Sequence, residues 1–158
     1  MRVLYFTSIF LCIFACKSIE NLPALAENTS NLEEELQYIY KSDQQDRRKV
    51  LFKVLFQAED KYLKDPKIIT VSNRDSLRLS RVIELDNATL IHSDLDKYHA
   101  AFIYLHGGGI KMQDDISYLE RSTELFKELM LNSSIKKLKR RGKVYYKESL
   151  RQLEWIKK

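Results

Sequence analysis

Two stretches of this chain carry residue types that do chemistry. Asp43, Gln44 and Arg47 form a D-Q-x-x-R run, and Asp96, His99 and His106 lie in D-L-D-K-Y-H-A-A-F-I-Y-L-H-G, which starts at Asp94. Carboxylate, guanidinium and imidazole together are the groups of general acid–base catalysis and of anion binding. In a helix, residues seven apart fall within about 20° of each other, so His99 and His106 share one side. Leu95, Phe102 and Ile103 share it with them. Two readings stay open: a pair of satisfied core histidines, or the polar floor of a pocket, where burial or a carboxylate neighbour shifts an imidazole across neutral pH. Asp96, one turn before His99, is placed to orient it. No third ligand follows at a metal-binding spacing, so no metal site is expected. Gly107-Gly108-Gly109 lacks the lysine and hydroxyl that follow in a phosphate loop, and no nucleophile elbow is present; neither a cofactor nor a catalytic residue is assigned.

The elements that must hold these residues are helical. Residues 94–107 read as a short apolar helix, capped by Ser93, with Asp94 and Asp96 in its first turn and the three glycines at its end. Residues 30–58 read as one long helix, capped by Thr29 or Ser30, or as two with a bend near Ser42. Its apolar stripe of Leu32, Leu36 and Tyr40 resumes at Val50, Leu51 and Val54. The positions between are Asp43 and Arg47, an i,i+4 pair in the favoured acid-first order. On a buried face such a pair is costly unless its hydrogen bonds are completed. It marks a structural bridge, a helix break with Asp43 as a cap, or a ligand-facing cluster.

Lys64-Asp65-Pro66 breaks the chain, and the β-branched run at 67–71 predicts a short extended segment. Ser72 or Asn73 then caps a helix to about Leu85, with Leu79, Val82 and Ile83 inward. After the glycines, Asp114 caps a helix whose inward face is Ile116, Leu119, Thr123, Phe126 and Met130, antiparallel to the one before it. Asn132-Ser133-Ser134 ends it. A short basic helix follows to Gly142, and a last helix carries Tyr146, Leu150, Leu153 and Ile156 on one stripe. The fold class is therefore all-α, one domain of five or six helices over residues 31–158, with at most one short extended segment.

The chain's start predicts an address. Met1-Arg2 gives one positive charge, Val3 to Phe14 is almost wholly apolar and uncharged, and Ile13-Phe14-Ala15-Cys16 resembles a bacterial lipobox, with Phe14 where a small residue is usual. The expectation is a lipoprotein signal peptide at 1–15, acylated (palmitate-bearing) Cys16, and a flexible tether at 16–30. A signal peptide cut nearby, leaving Cys16 a free thiol, is the other reading. The expected location is the bacterial cell envelope, with the membrane engaged through Cys16; Lys17 in place of an inner-membrane retention aspartate points to the outer membrane.

Charge is divided along the chain. Cys16 to Asn132 holds 16 basic and 20 acidic residues, whereas Ser133 to Lys158 holds 10 basic and 2 acidic. The basic end is a solvated helix face or a contact for anionic lipid headgroups. Nucleic acid is not an expected partner for an exported protein.

The two chemistry-bearing stretches also resemble an uncharacterised family of small bacterial domains, many secreted or lipid-anchored, without an assigned activity. Asp43, Gln44 and Arg47 match its D-Q-x-x-R, and Asp96, Tyr98, Ala100, Ala101, Ile103, His106 and Gly107 match its D-x-Y-x-A-A-x-I-x-Q-H-G. Leu105 replaces the glutamine, the helix from Ile116 has no alanine, and the family's later aspartate-arginine and glycine-threonine-glutamine elements are absent. The resemblance implies a divergent member that has lost part of the family's site.

The function expected from these features is a binding or scaffolding module at the envelope, engaging a protein, peptide or glycan. The alternative is a hydrolase-type enzyme with Asp43, Arg47, His99 and His106 around one cleft, His106 or His99 as base and Arg47 holding an anion. An immunity or inhibitor protein fits the size and anchor alone.

Overall fold

The computed structural model describes residues 31–56, 66–107 and 116–157. The expected leader, Cys16, the tether, the caps Thr29 and Ser30, Gly108, Gly109 and Asp114 lie outside them. The described residues form five helices and no strand: α1 (Leu32–Phe56), α2 (Pro66–Asn87), α3 (Asp94–Gly107), α4 (Ile116–Asn132) and α5 (Lys136–Ile156). The all-α expectation holds. No helix among the described residues is long and apolar enough to cross a membrane.

Helix α3 is the centre. Ten of its fourteen residues are buried, and it packs against each of the other four helices. Its start is a reciprocal capping box: the Asp96 N–H donates to Ser93 Oγ at 3.0 Å and the Ser93 N–H donates to Asp96 Oδ2 at 3.2 Å. Ala100 and Ala101 are fully buried, so small side chains there let the neighbouring helices come close. Gly107 has the same role at the other end, since a Cβ there would lie 2.7 Å from Leu79 Cδ1.

Cross-helix contacts fix the directions. Glu35 meets Arg81 and Asp46 meets Arg74, so α1 and α2 run antiparallel. Tyr104 reaches Asp86 while Gly107 lies against Leu79, and Lys97 meets Glu128 while the Ser122 hydroxyl donates to the Ala101 carbonyl at 2.8 Å, so α3 is antiparallel to both α2 and α4. Lys139 meets the Leu131 carbonyl and Lys157 meets Glu120, which makes α4 and α5 an antiparallel hairpin. The core joins Leu36 and Ile39 of α1, Val82 and Leu85 of α2, most of α3, and Leu125, Phe126 and Leu129 of α4. Phe102 is its aromatic hub, with ring centroids 4.6 Å from Tyr145, 5.0 Å from Tyr98 and 5.3 Å from Phe126.

In α1 the single-helix alternative holds, and three boundary expectations are corrected. Helix α1 runs through Ser42 and Asp43 without a break, because the Ser42 hydroxyl turns back to the Ile39 carbonyl and Asp43 points into the bundle. Asn31 caps it, its Oδ1 accepting from the Glu33 N–H at 3.1 Å. The 67–71 run is not extended. It forms the first turn of α2, which begins at Pro66, where a missing N–H costs a helix nothing. Gly142 does not end a helix but sits inside α5 against α4. The α2–α3 connection turns on Thr89, at φ 53° in the left-handed region, with the Leu90 N–H reaching the Leu85 carbonyl.

Candidate functional site

Helices α1, α2 and α3 meet over a cluster of charged groups. From α1 come Ser42, Asp43, Gln44, Asp46 and Arg47, from α2 Arg74, Asp75 and Arg78, and from α3 His106. The three carboxylates are sealed: Asp43, Asp46 and Asp75 are each 3 % exposed or less, and Arg78 is 4 % exposed.

Arg78 is the inner brace. Its Nε donates to Ser42 Oγ and its Nη1 to Asp75 Oδ1, both at 2.8 Å, and its Nη2 pairs with Asp46 Oδ2. One guanidinium thus satisfies groups on two helices in the planar geometry that only arginine offers. Arg74, more exposed, takes the other Asp46 oxygen at 2.7 Å.

Arg47 and His106 form the outer part. Arg47 Nη2 donates to Asp75 Oδ2 at 2.7 Å and to the His106 carbonyl at 3.1 Å, and so also closes the end of α3. Its Nε lies 3.4 Å from Asp43 Oδ1 as an ion pair but makes no hydrogen bond. His106 Nδ1 is 2.8 Å from Asp43 Oδ2, and Gln44 Nε2 donates to that same oxygen at 3.0 Å.

Burial would raise the Asp43 carboxyl, but His106, then Arg47 and Arg78, outweigh it and hold it below its ordinary value. An ionised carboxylate only accepts, so His106 Nδ1 carries the proton. The ring's Nε2 edge has no partner among the described residues. Asp75 moves the other way: burial raises it, Arg47 offsets part of this, and nearby Asp43 adds to the rise. The His106 and Arg47 side chains, 23 % and 30 % exposed, are the solvent edge of an otherwise closed set.

The expected residues therefore divide. Asp43, Gln44, Arg47 and His106 meet in one cluster. Asp96 does not join it and is spent on the capping box. His99 does not join it either: its ring stacks on Tyr40 at 4.6 Å, and its Nδ1 has no hydrogen-bond partner among the described residues. Burial, partly countered by Asp96 and reinforced by Lys41, pushes His99 down to about 4. The cleft of four polar side chains expected for a hydrolase is thus a cluster of three plus a separate core histidine. Among the described residues no group of three or more His, Cys, Asp or Glu is arranged to hold a metal ion.

Sequence reasoning missed Asp46, Asp75 and Arg78. Asp75 and Arg78 break the α2 stripe of Val71, Leu79 and Val82 just as Asp43 breaks that of α1. The stripe becomes visible only once the helix is seen to begin at Pro66, ahead of Val71. Also missed was a second polar lock: Arg121 forks onto Asp86 at 2.7 and 2.8 Å while the Tyr104 hydroxyl donates to the same carboxylate. These Arg121 hydrogen bonds, against the penalty of burial, draw Asp86 below its ordinary value.

Fold and site together define an all-α bundle with a buried ionic cluster opening at one edge. No family model, curated protein or solved structure matches the chain.

Proposed function

We propose that this protein is a lipid-anchored binding module of the bacterial envelope, and that the outer edge of the Asp43–His106–Arg47 cluster receives an anionic group of its ligand. The observation that carries the reading is the half-open setting of His106 and Arg47. Both are held rigidly from behind by sealed carboxylates, and both reach solvent. Holding the Arg47 guanidinium in place before binding saves the ordering cost that a flexible site incurs, and His106 adds a donor at Nε2 when both of its ring nitrogens carry protons. A carboxylate or phosphate on a peptide or glycan is the matching chemistry. The four residues in the cluster that carry the family resemblance, Asp43, Gln44, Arg47 and His106, are the ones that build this edge. The anchor reading rests on the lipobox-like run before Cys16.

A second reading draws on one specific observation. With Nδ1 protonated toward Asp43, His106 presents Nε2 as a base, the arrangement of a carboxylate-oriented general base. Among the described residues no serine, threonine or cysteine hydrogen-bonds to it, and binding remains the better fit.

The test is titration of the full-length protein, in mild detergent, with inorganic phosphate and with succinate. The His106 side-chain resonances and the melting temperature are followed. Both should move with probe concentration in the wild type; both should stay still in Arg47→Gln, and in His106→Gln, which lacks those resonances, the melting temperature should stay still. If neither probe moves His106, and His106→Ala unfolds the domain, the cluster is a packing brace and the binding reading falls. Palmitate labelling that survives Cys16→Ala would remove the anchor.

A further inference from the structure

Helix α5 buries Leu138, Gly142, Ser149 and Leu153 and shows solvent its opposite side. Five cations there, Lys136, Lys137, Arg140, Lys143 and Lys147, are exposed and form no ion pair among the described residues. At roughly 100° per residue they fall within about 120° of arc, and Val144 and Trp155 fall within the same arc. Val144 is 59 % exposed and Trp155 54 % exposed.

We propose that this face of α5 docks on an anionic bilayer surface. An interfacial helix combines clustered Lys and Arg with apolar side chains, tryptophan above all, which settle at headgroup depth. Nucleic acid and acidic protein match the cations, but neither accounts for bulky apolar groups exposed among them. The charge division orients the molecule. The basic end is drawn to anionic headgroups, and the stretch from Cys16 to Asn132, with 16 basic and 20 acidic residues, is not. The inference rests on the lipid-anchored reading for proximity alone: the chain from Cys16 to Asn31 spans at most about 50 Å, so the domain stays near the membrane that holds it.

Trp155 is the only tryptophan, so its emission reports the docking directly. The full-length lipidated protein is reconstituted in vesicles of phosphatidylcholine alone and of equimolar phosphatidylcholine and phosphatidylglycerol. A blue shift and protection from acrylamide are expected only with phosphatidylglycerol. They should vanish at about 1 M salt, where the Debye length is roughly 3 Å, and in the Lys137→Glu, Lys143→Glu, Lys147→Glu triple variant, whose fold is checked by circular dichroism. Equal emission in the two vesicle types overturns the proposal, as does a response to a DNA duplex without a response to vesicles. Flotation with phosphatidylcholine vesicles reads the anchor separately. Protein that floats with them while Trp155 stays solvated keeps its anchor and loses the docking. Protein that does not float with them, but shifts with phosphatidylglycerol, loses the anchor and keeps the docking.

Discussion

His99 is a polar ring in an apolar place, and its cost depends on pH. It is buried against Tyr40, has a nitrogen without a partner among the described residues, and is pushed down to about 4 from an ordinary 6.5. Below pH 6.5 the unfolded chain binds a proton there and the folded chain does not, until the pH reaches about 4. Stability therefore falls as pH drops through that window, by about 3 kcal/mol in all. His99→Phe keeps the stacking and removes the titration. Its urea-unfolding free energy should exceed that of the wild type by more at pH 5 than at pH 8, and the slope between pH 6.5 and 4 should flatten. Equal slopes in the two proteins would mean that His99 is not the titrating group. Asp96 shows how one residue type at one position supports several roles. Its place one turn before His99 suggests an orienting role, whereas its carboxylate is used at the Ser93 N–H, three residues back.

At the scale of elements, the α4–α5 hairpin depends on Gly142. Glycine inside a helix costs about 1 kcal/mol relative to alanine, so some other gain retains it. A Cβ at that position would lie 2.8 Å from the Met130 backbone nitrogen and 2.9 Å from Leu129 Cβ. Backbone cannot rotate aside as a side chain does, so the two helices would have to separate. Gly142→Ala should lose about 1–2 kcal/mol net, read as a lower urea midpoint, because the packing penalty exceeds the propensity gain. A stabilised variant would show that the hairpin has slack. Gly reads as a helix stop in sequence, and only a neighbouring helix reveals it as a point of close approach. Pro66 is the converse case. The β-branched residues after it suggest strand, yet the length and amphipathic pattern of residues 66–87 prevail in the bundle.

At the scale of the whole molecule, Arg78 decides how the first three helices sit. It ties α1 to α2 through Ser42, Asp46 and Asp75, and Asp75 in turn holds Arg47, which closes the end of α3. Arg78→Met leaves the sealed Asp46 and Asp75 with less compensation and should cost about 3–5 kcal/mol at neutral pH, measured by urea unfolding. Burial already raises Asp75, so the loss should shrink as pH falls, because that carboxyl takes a proton more readily than an ordinary aspartate. A loss below about 1 kcal/mol would mean that the cluster is wetter and looser than its geometry implies.

Local pattern determined much of this protein. The all-α class, the Ser93 cap, the burial of Phe102 and Ile103 in α3 and of Leu119, Thr123 and Phe126 in α4, and the anomaly of Asp43 on an apolar stripe are all legible in the chain, because periodicity and capping act within a few residues. Tertiary structure decided which polar residues meet. Asp43 lies 63 positions from His106 and Asp46 lies 32 from Arg78. No spacing rule links such pairs, because their distances follow from helix directions and crossings that only the packed core sets. For the same reason, His99 and His106 share a helix face in sequence and part in space. One lies against Tyr40 within the apolar core, and the other, two turns on, reaches the end of α3, where three helices bring their charges together.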